Sequence, residues 1–204
     1  MLNVAVAALG IVIASPLMLA VAVAVKVTSA GPVFYRQRRV GLCVRSSYGG
    51  NHRRKVDIGG KPFTILKFRT MRVATPGEDA QVWASQDDPR ITPIGRFLRS
   101  TRIDEMPQLF NVLLGDMNIV GPRPEQPEIF QSLRNEVASY SHRQQVRPGI
   151  TGRAQITLQY DSSIDDVRKK VEADLEYIKT QSFLEDLRIM ALTAPVMVFR
   201  KGSR

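Results

Sequence analysis

At 204 residues with a formal net charge of +10, the chain is one domain, or one domain with an appendage, and is long enough to bury a hydrophobic core. Such basicity points to an anionic partner: nucleic acid, anionic lipid or a phosphorylated substrate. A lone cysteine, Cys43, excludes an internal disulfide, and with only His52 and His142 beside it the composition argues against a zinc site and for a reducing compartment.

The first element is apolar. Residues 2–25 carry no charge and, at ~1.5 Å per residue, would cross roughly 30 Å of hydrocarbon if they ran straight. Ser15-Pro16, near the middle, argues against a straight course. A mid-helix proline removes one hydrogen bond and clashes with the preceding turn, and the serine hydroxyl can satisfy a freed carbonyl. Two arms of about 10 to 14 residues have a re-entrant or interfacial length rather than a spanning one. A kinked transmembrane helix is the alternative, and a cleaved signal is disfavoured because no basic segment precedes the run. Every charge follows it, starting with Lys26, Arg36, Arg38 and Arg39, which predicts a cytoplasmic globular part.

Alternation predicts a strand over residues 32–40 and a second over 63–71, with Phe63, Ile65, Lys67, Arg69 and Met71 on one face. Lys67 and Arg69, two residues apart on a strand face, can grip one anion; a solvated face is the bland reading. The basic stretch 42–60 between the strands, with Arg53-Arg54-Lys55, reads as a loop, either near anionic lipid or simply solvated. Residues 75–90 are polar and turn-rich, and residue 94 begins a short helix.

Asp104-Glu105 stand just before Pro107. A proline is comfortable only in the first turn of a helix, so both acids are expected at or beside an N-cap, where the dipole and free N–H groups favour a carboxylate. Asp104 is then an anion at neutral pH, available as a nucleophile or metal ligand, although adjacent acids at a helix start are most often just caps. Leu109, Phe110, Leu113 and Leu114 recur at helical spacing and read as core. Arg123, between Pro122 and Pro124, loses little backbone entropy on ordering and can present a fixed fork to a phosphate. Ser162 and Asp165 read as a capping box ahead of a helix with Ile164, Val167, Val171, Leu175 and Ile178 on one face. Asp174 borders that stripe, as a satisfied structural acid or a contributor to the site. A last apolar helix over 184–199 lies on the bilayer or packs in the core.

Taken together in order, these segments resemble the bacterial sugar transferases, the monotopic polyprenyl-phosphate phosphoglycosyl transferases. The matching pieces are Ser15-Pro16, Gly31-Pro32-Val33-Phe34-Tyr35-Arg36-Gln37, Arg39-Val40-Gly41, Gly60-Lys61-Pro62-Phe63 and Lys67-Phe68-Arg69-Thr70-Met71. They continue with Asp88-Pro89-Arg90-Ile91-Thr92-Pro93, Asp104-Glu105-Met106-Pro107-Gln108-Leu109, Gly115-Asp116-Met117, Gly121-Pro122-Arg123-Pro124-Glu125 and Arg147-Pro148-Gly149-Ile150-Thr151-Gly152. The resemblance implies a small mixed α/β (α+β) catalytic domain, residues 31–204, behind a re-entrant membrane helix, residues 1–30, with interfacial amphipathic helices. It also implies magnesium-dependent transfer of a phosphosugar from a UDP-sugar to undecaprenyl or another polyprenyl phosphate at the cytoplasmic face of the bacterial inner membrane, the initiating step of membrane glycan assembly. Asp104 would form a covalent phosphosugar and release UMP, Glu105 would complete the acidic pair, and both would hold Mg2+. Lys67, Arg69, Arg123 with Pro124, and Arg147 would surround the phosphates, with Asp174 as a further candidate.

The partners implied are the nucleotide sugar, the lipid phosphate and the bilayer, with no nucleic acid and with a homodimer open. Departures from the family pattern are the start at Met1-Leu2-Asn3 without a basic pair, the long 42–59 loop, Arg153 in place of a common tryptophan, and Thr157-Leu158-Gln159 in place of Asn-Gly-Arg. The long relatives' extra N-terminal transmembrane domain is missing, so a minimal catalytic unit is expected. Two other readings compete: a membrane-tethered nucleic-acid-binding module, disfavoured by the few aromatics, and an inactive scaffold of a glycan-assembly complex, disfavoured by the intact Asp104-Glu105.

Overall fold

The computed structural model describes residues 2–43, 59–73, 88–158 and 163–198. The Arg53-Arg54-Lys55 segment, most of the 75–90 stretch, Gln159 and Ser162 lie outside them. Helix α1 runs Leu2–Thr28 with Pro16 inside it. Pro16 has no N–H to offer the Val12 carbonyl, and the Ser15 hydroxyl donates to that carbonyl instead, at 2.8 Å. Among the described residues, this is the one helix long and apolar enough to cross a membrane. It fits membrane association, since Leu9, Val12, Ile13, Leu19 and Val27 face outward.

Both arms of α1 also rest on the same body. Ala7 packs into a core with Phe63, Ile65, Val112 and Ile189, whereas Met18, Val21 and Val25 pack with Phe68 and Leu98. At its start, the Asn3 side-chain oxygen accepts the Ile119 N–H at 3.0 Å. At its end, Lys26 donates to the Gly31 carbonyl at 3.1 Å, and Arg69 donates through both terminal nitrogens to the carbonyls of Ala30 and Ser29. These carbonyls lie just past the end of α1, so Lys26 and Arg69 fix the turn by which the chain leaves the helix, and cations there also suit the negative end of the helix dipole.

Strands β1 (Phe34–Val40) and β2 (Pro62–Phe68) form an antiparallel pair, with Phe34 opposite Phe68 and Arg39 opposite Phe63. Helix α2 (Pro93–Thr101) starts on Thr92, whose hydroxyl accepts the Gly95 N–H at 3.0 Å. A 3-10 turn, Ile103–Glu105, leads to helix α3 (Gln108–Leu113) and strand β3 (Asn118–Val120). Helix α4 (Pro127–Glu136), a 3-10 turn at Tyr140–Gln145 and strand β4 (Gly149–Thr151) follow, with β4 parallel to β3. The chain closes with α5 (Arg153–Thr157), α6 (Ile164–Thr180) and α7 (Phe183–Val198). The architecture is mixed α/β, in the expected class, with two small sheets among the described residues.

Helix α6 buries the expected stripe: Val167 and Val171 are in the core, with Ile164 and Leu175 packed against it. Its cap is Ser163 rather than Ser162, the Ser163 hydroxyl accepting the Asp166 N–H at 3.2 Å. Helix α7 packs in the core through Ile189 while exposing Leu184, Leu187 and Leu192. Leu109 packs against the core as expected, but the rest of helix α3 reverses the expectation. Its buried residues are Gln108, Asn111 and Val112, while Phe110 and Leu113 are exposed and Leu114 is 74% exposed. Asn111 explains the reversal, because its side chain accepts the Leu66 N–H at 3.0 Å and donates to the Thr64 carbonyl at 2.7 Å, extending the edge of β2.

Candidate active site

Helix α2 stops because Arg102 takes a left-handed conformation, φ 57°, with its N–H returning to the Arg99 carbonyl. The reversal turns Asp104 and Glu105 inward on the 3-10 turn, and each is only 8% exposed. The N-cap of α3 is Pro107 itself, so the acids precede the helix rather than cap it, and its dipole is not what sets their charge.

Their environments differ sharply. Glu105 Oε1 accepts from Lys67 Nζ at 2.7 Å and from Arg123 Nη2 at 2.7 Å, and Arg102 Nη1 stands 4.0 Å from the other oxygen. Burial opposes its ionisation, but the charges and hydrogen bonds of Arg123 and Lys67 outweigh that and hold Glu105 well below the usual carboxylate range. Among the described residues no hydrogen bond or ion pair reaches the Asp104 carboxylate. Burial and the neighbouring Glu105 charge push Asp104 up to about 6, against the pull of Lys67, Arg123 and Arg99. Ionised, Asp104 is therefore a destabilised anion rather than the dipole-stabilised one expected. An exposed lone pair on such a carboxylate is chemically competent as a nucleophile.

The Pro122-Arg123-Pro124 loop leaves β3 where the chain crosses the start of β4. A Cβ on Gly149 would lie 2.1 Å from the Gly121 nitrogen, so the crossing requires glycine. The Pro124 carbonyl accepts from Arg39 Nη1 at 3.0 Å. Arg147 lies on the loop into β4, its side chain exposed and, among the described residues, without a hydrogen bond or ion pair.

Two expected site residues are elsewhere. Strand β2 ends at Phe68, so Arg69 does not join Lys67 in a strand-face clamp; its guanidinium serves the end of α1. Asp174 is 1% exposed and pairs with Arg143 Nε at 2.7 Å, so it faces the back of the Arg123 loop, not a substrate. Arg39, Arg102 and Arg143 escaped the sequence reading as site residues, since three arginines in a chain with 29 basic residues carry no distinguishing pattern.

Beside Glu105 a cleft of roughly 160 Å³ opens, lined by Arg102, Met106, Leu109, Ile150 and Ile156 among others. Its lining is mainly apolar, with Arg102, Glu105, Thr151, Gln155 and Thr193 as the polar members. Among the described residues no three acids, histidines or cysteines gather as a metal cage. The unbonded Asp104 carboxylate and the second oxygen of Glu105 nonetheless suit an ion such as magnesium, which takes one or two carboxylates and completes its shell with water and phosphate.

The sequence profile of the bacterial sugar transferase family matches residues 1–200. The chain belongs to the bacterial sugar transferases. Among similar family members is a UDP-N-acetylgalactosamine-undecaprenyl-phosphate N-acetylgalactosaminephosphotransferase of Aeromonas hydrophila, 40% identical over 198 residues, covering 97% of this chain and 43% of the relative. A UDP-glucose:undecaprenyl-phosphate glucose-1-phosphate transferase of Caulobacter vibrioides is 39% identical over 199 residues, covering 97% and 68%. A protein of the same description from Klebsiella pneumoniae is 39% identical over 193 residues, covering 94% and 38%. The chain thus spans less than half the length of two of these three bacterial sugar transferases and about two thirds of the third.

Proposed function

We propose that this bacterial sugar transferase moves a phosphosugar from a UDP-sugar to a polyprenyl phosphate such as undecaprenyl phosphate, through a covalent intermediate on Asp104. The observation that carries the reading is the contrast within the acidic pair: Glu105 is neutralised by two cations while its neighbour is buried and, among the described residues, unbonded, which leaves its carboxylate available as a nucleophile. An Asp104 carboxylate oxygen attacks the sugar-bearing phosphorus. The bond from that phosphorus to the bridging oxygen breaks, and UMP leaves with the electron pair. A phosphate oxygen of the lipid acceptor then attacks the same phosphorus and releases Asp104 as a carboxylate, leaving the sugar on a lipid diphosphate.

Lys67 and Arg123, set by Glu105, would meet the phosphoryl oxygens as charge builds up, and the exposed Arg147 would serve an outer phosphate. Asp104 and the second oxygen of Glu105 are the groups that would hold a magnesium ion, which when bound neutralises diphosphate charge. The product fits the initiating step of a membrane glycan. The names of the relatives support both substrates. Incubating membranes containing the protein with a panel of UDP-sugars and a polyprenyl phosphate, and following UMP, tests it: release with at least one sugar is expected, and none with any would reject it.

The pH dependence follows from Asp104, which must be ionised to attack. With a pKa of about 6, kcat/KM for the donor should fall about tenfold per pH unit below 6 and level off above 7. A rate profile flat down to pH 4.5 would exclude Asp104 as the group that titrates.

We read residues 1–30 as re-entering one leaflet and residues 31–204 as a domain on the cytoplasmic face of the inner membrane. Both arms of α1 pack on one body, and the outward Phe110, Leu113 and Leu114 of α3 and Leu184 of α7 suit the membrane interface. In a Cys43→Ser background, cysteines at Leu2 and Thr28 should both be shielded from an impermeant thiol reagent added to intact cells and both react in inverted vesicles. Labelling of position 2 from outside would establish a spanning helix.

A further inference from the structure

We infer that the buried pair Arg143 and Asp174, with Tyr140, is a positioning device that sets the direction of Arg123. The inference rests on the proposed function, in which Arg123 contacts the transferring phosphate. The side chain of Arg123 is 36% exposed and is held at its tip by Glu105 at 2.7 Å, so its direction depends also on how the backbone that carries it is held. Three consecutive carbonyls of that backbone are each bonded from a different element. Pro122 accepts from the Gly149 N–H at 3.0 Å, Arg123 from Arg143 Nη2 at 3.2 Å and Pro124 from Arg39 Nη1 at 3.0 Å. With φ fixed at both prolines, the loop has little freedom left.

Arg143 is the centre of this arrangement, and each of its three guanidinium nitrogens donates a hydrogen bond. Nε donates to Asp174 Oδ2 at 2.7 Å, Nη1 to the Tyr140 hydroxyl at 2.9 Å and Nη2 to the Arg123 carbonyl, while its carbon lies 5.0 Å from the Tyr140 ring centroid. Only a planar fork makes these three bonds at once; an ammonium has neither the reach nor the geometry. Stability alone explains the pair poorly, because buried ion pairs are often replaceable by apolar residues without loss. What an apolar pair cannot supply is a directed donor to the Arg123 carbonyl. Asp174 supplies the counter-charge that keeps the fork in place, which gives this acid a part in the site without contact with substrate.

The test is a double-mutant cycle read in kcat and donor KM, with thermal unfolding measured alongside. Arg143→Lys should lower kcat about tenfold with little change in KM, since donor binding has other contacts. Arg123→Lys should lower it ten- to a hundredfold. In the double variant the Arg143→Lys loss should shrink to less than twofold, because the group it positions is already gone, whereas its effect on unfolding temperature should be undiminished. Multiplicative losses in the double variant would overturn the inference while leaving the role of Arg123 intact. Full activity in Arg123→Lys would instead reject the reading of Arg123 and the inference with it. The pair Arg143→Met with Asp174→Leu keeps the site filled without an orphaned charge; kcat at wild-type level in that folded variant would equally overturn the positioning role.

Discussion

Replacing Asp104 with asparagine should stop transfer while making the protein more stable at neutral pH. The activity loss, roughly three orders of magnitude or more, follows from exchanging an anionic nucleophile for a neutral amide. The stability gain follows from linkage. The folded-state pKa of Asp104 lies near 6 against 3.8 unperturbed, so the folded protein holds the proton more tightly than the unfolded chain. That contribution is fully present below pH 4 and is lost as the pH rises through 6, leaving a cost at pH 7 and above. Removing the ionisable group should recover on the order of 2 kcal/mol at pH 7.5 and almost nothing at pH 4. Denaturant unfolding at the two pH values checks this, and a variant destabilised at both would show that the carboxylate makes stabilising contacts.

Replacing Glu105 with glutamine should have the opposite effect on stability. Lys67 and Arg123 lose the carboxylate that neutralises them at 2.7 Å each. Breaking a buried pair from one side typically costs 3–5 kcal/mol, and the part exposure of Arg123 brings the expected loss to about 2–4 kcal/mol. Transfer should fall by about two orders of magnitude, because the freed cations are drawn toward Asp104. The same redistribution removes one cause of the raised Asp104 pKa, so the acid limb of the rate profile should move to lower pH. An unmoved limb in Glu105→Gln would mean that the two carboxylates do not sense each other.

Periodicity carried the long elements, since α6 buries the stripe its spacing predicts and β2 buries Phe63 and Ile65 on the predicted face, although β1 buries only Val40. It misled at α3, where an apolar face was read as core. The rule assumes a polar exterior, and here Asn111 is drawn inward by the open edge of β2 while Phe110, Leu113 and Leu114 turn outward. The acidic pair was legible as chemistry, but its electrostatics were not. The left-handed Arg102 inserts a 3-10 turn ahead of Pro107, and no propensity announces that reversal. Arg69 was misplaced because strand alternation was carried past Phe68, where β2 ends. The roles of Arg143 and Asp174 required tertiary structure, since the bond that ties them to Arg123 joins residues 20 apart in sequence from different elements.

The central claim is that Asp104 itself carries the phosphosugar. The most direct measurement is peptide mapping by mass spectrometry after mixing the protein with UDP-sugar and magnesium in the absence of lipid acceptor. The account predicts up to one equivalent of UMP released and the mass of one phosphosugar on the peptide containing Asp104, discharged when polyprenyl phosphate is added. A label on Glu105, or turnover with acceptor but no adduct without it, would contradict it.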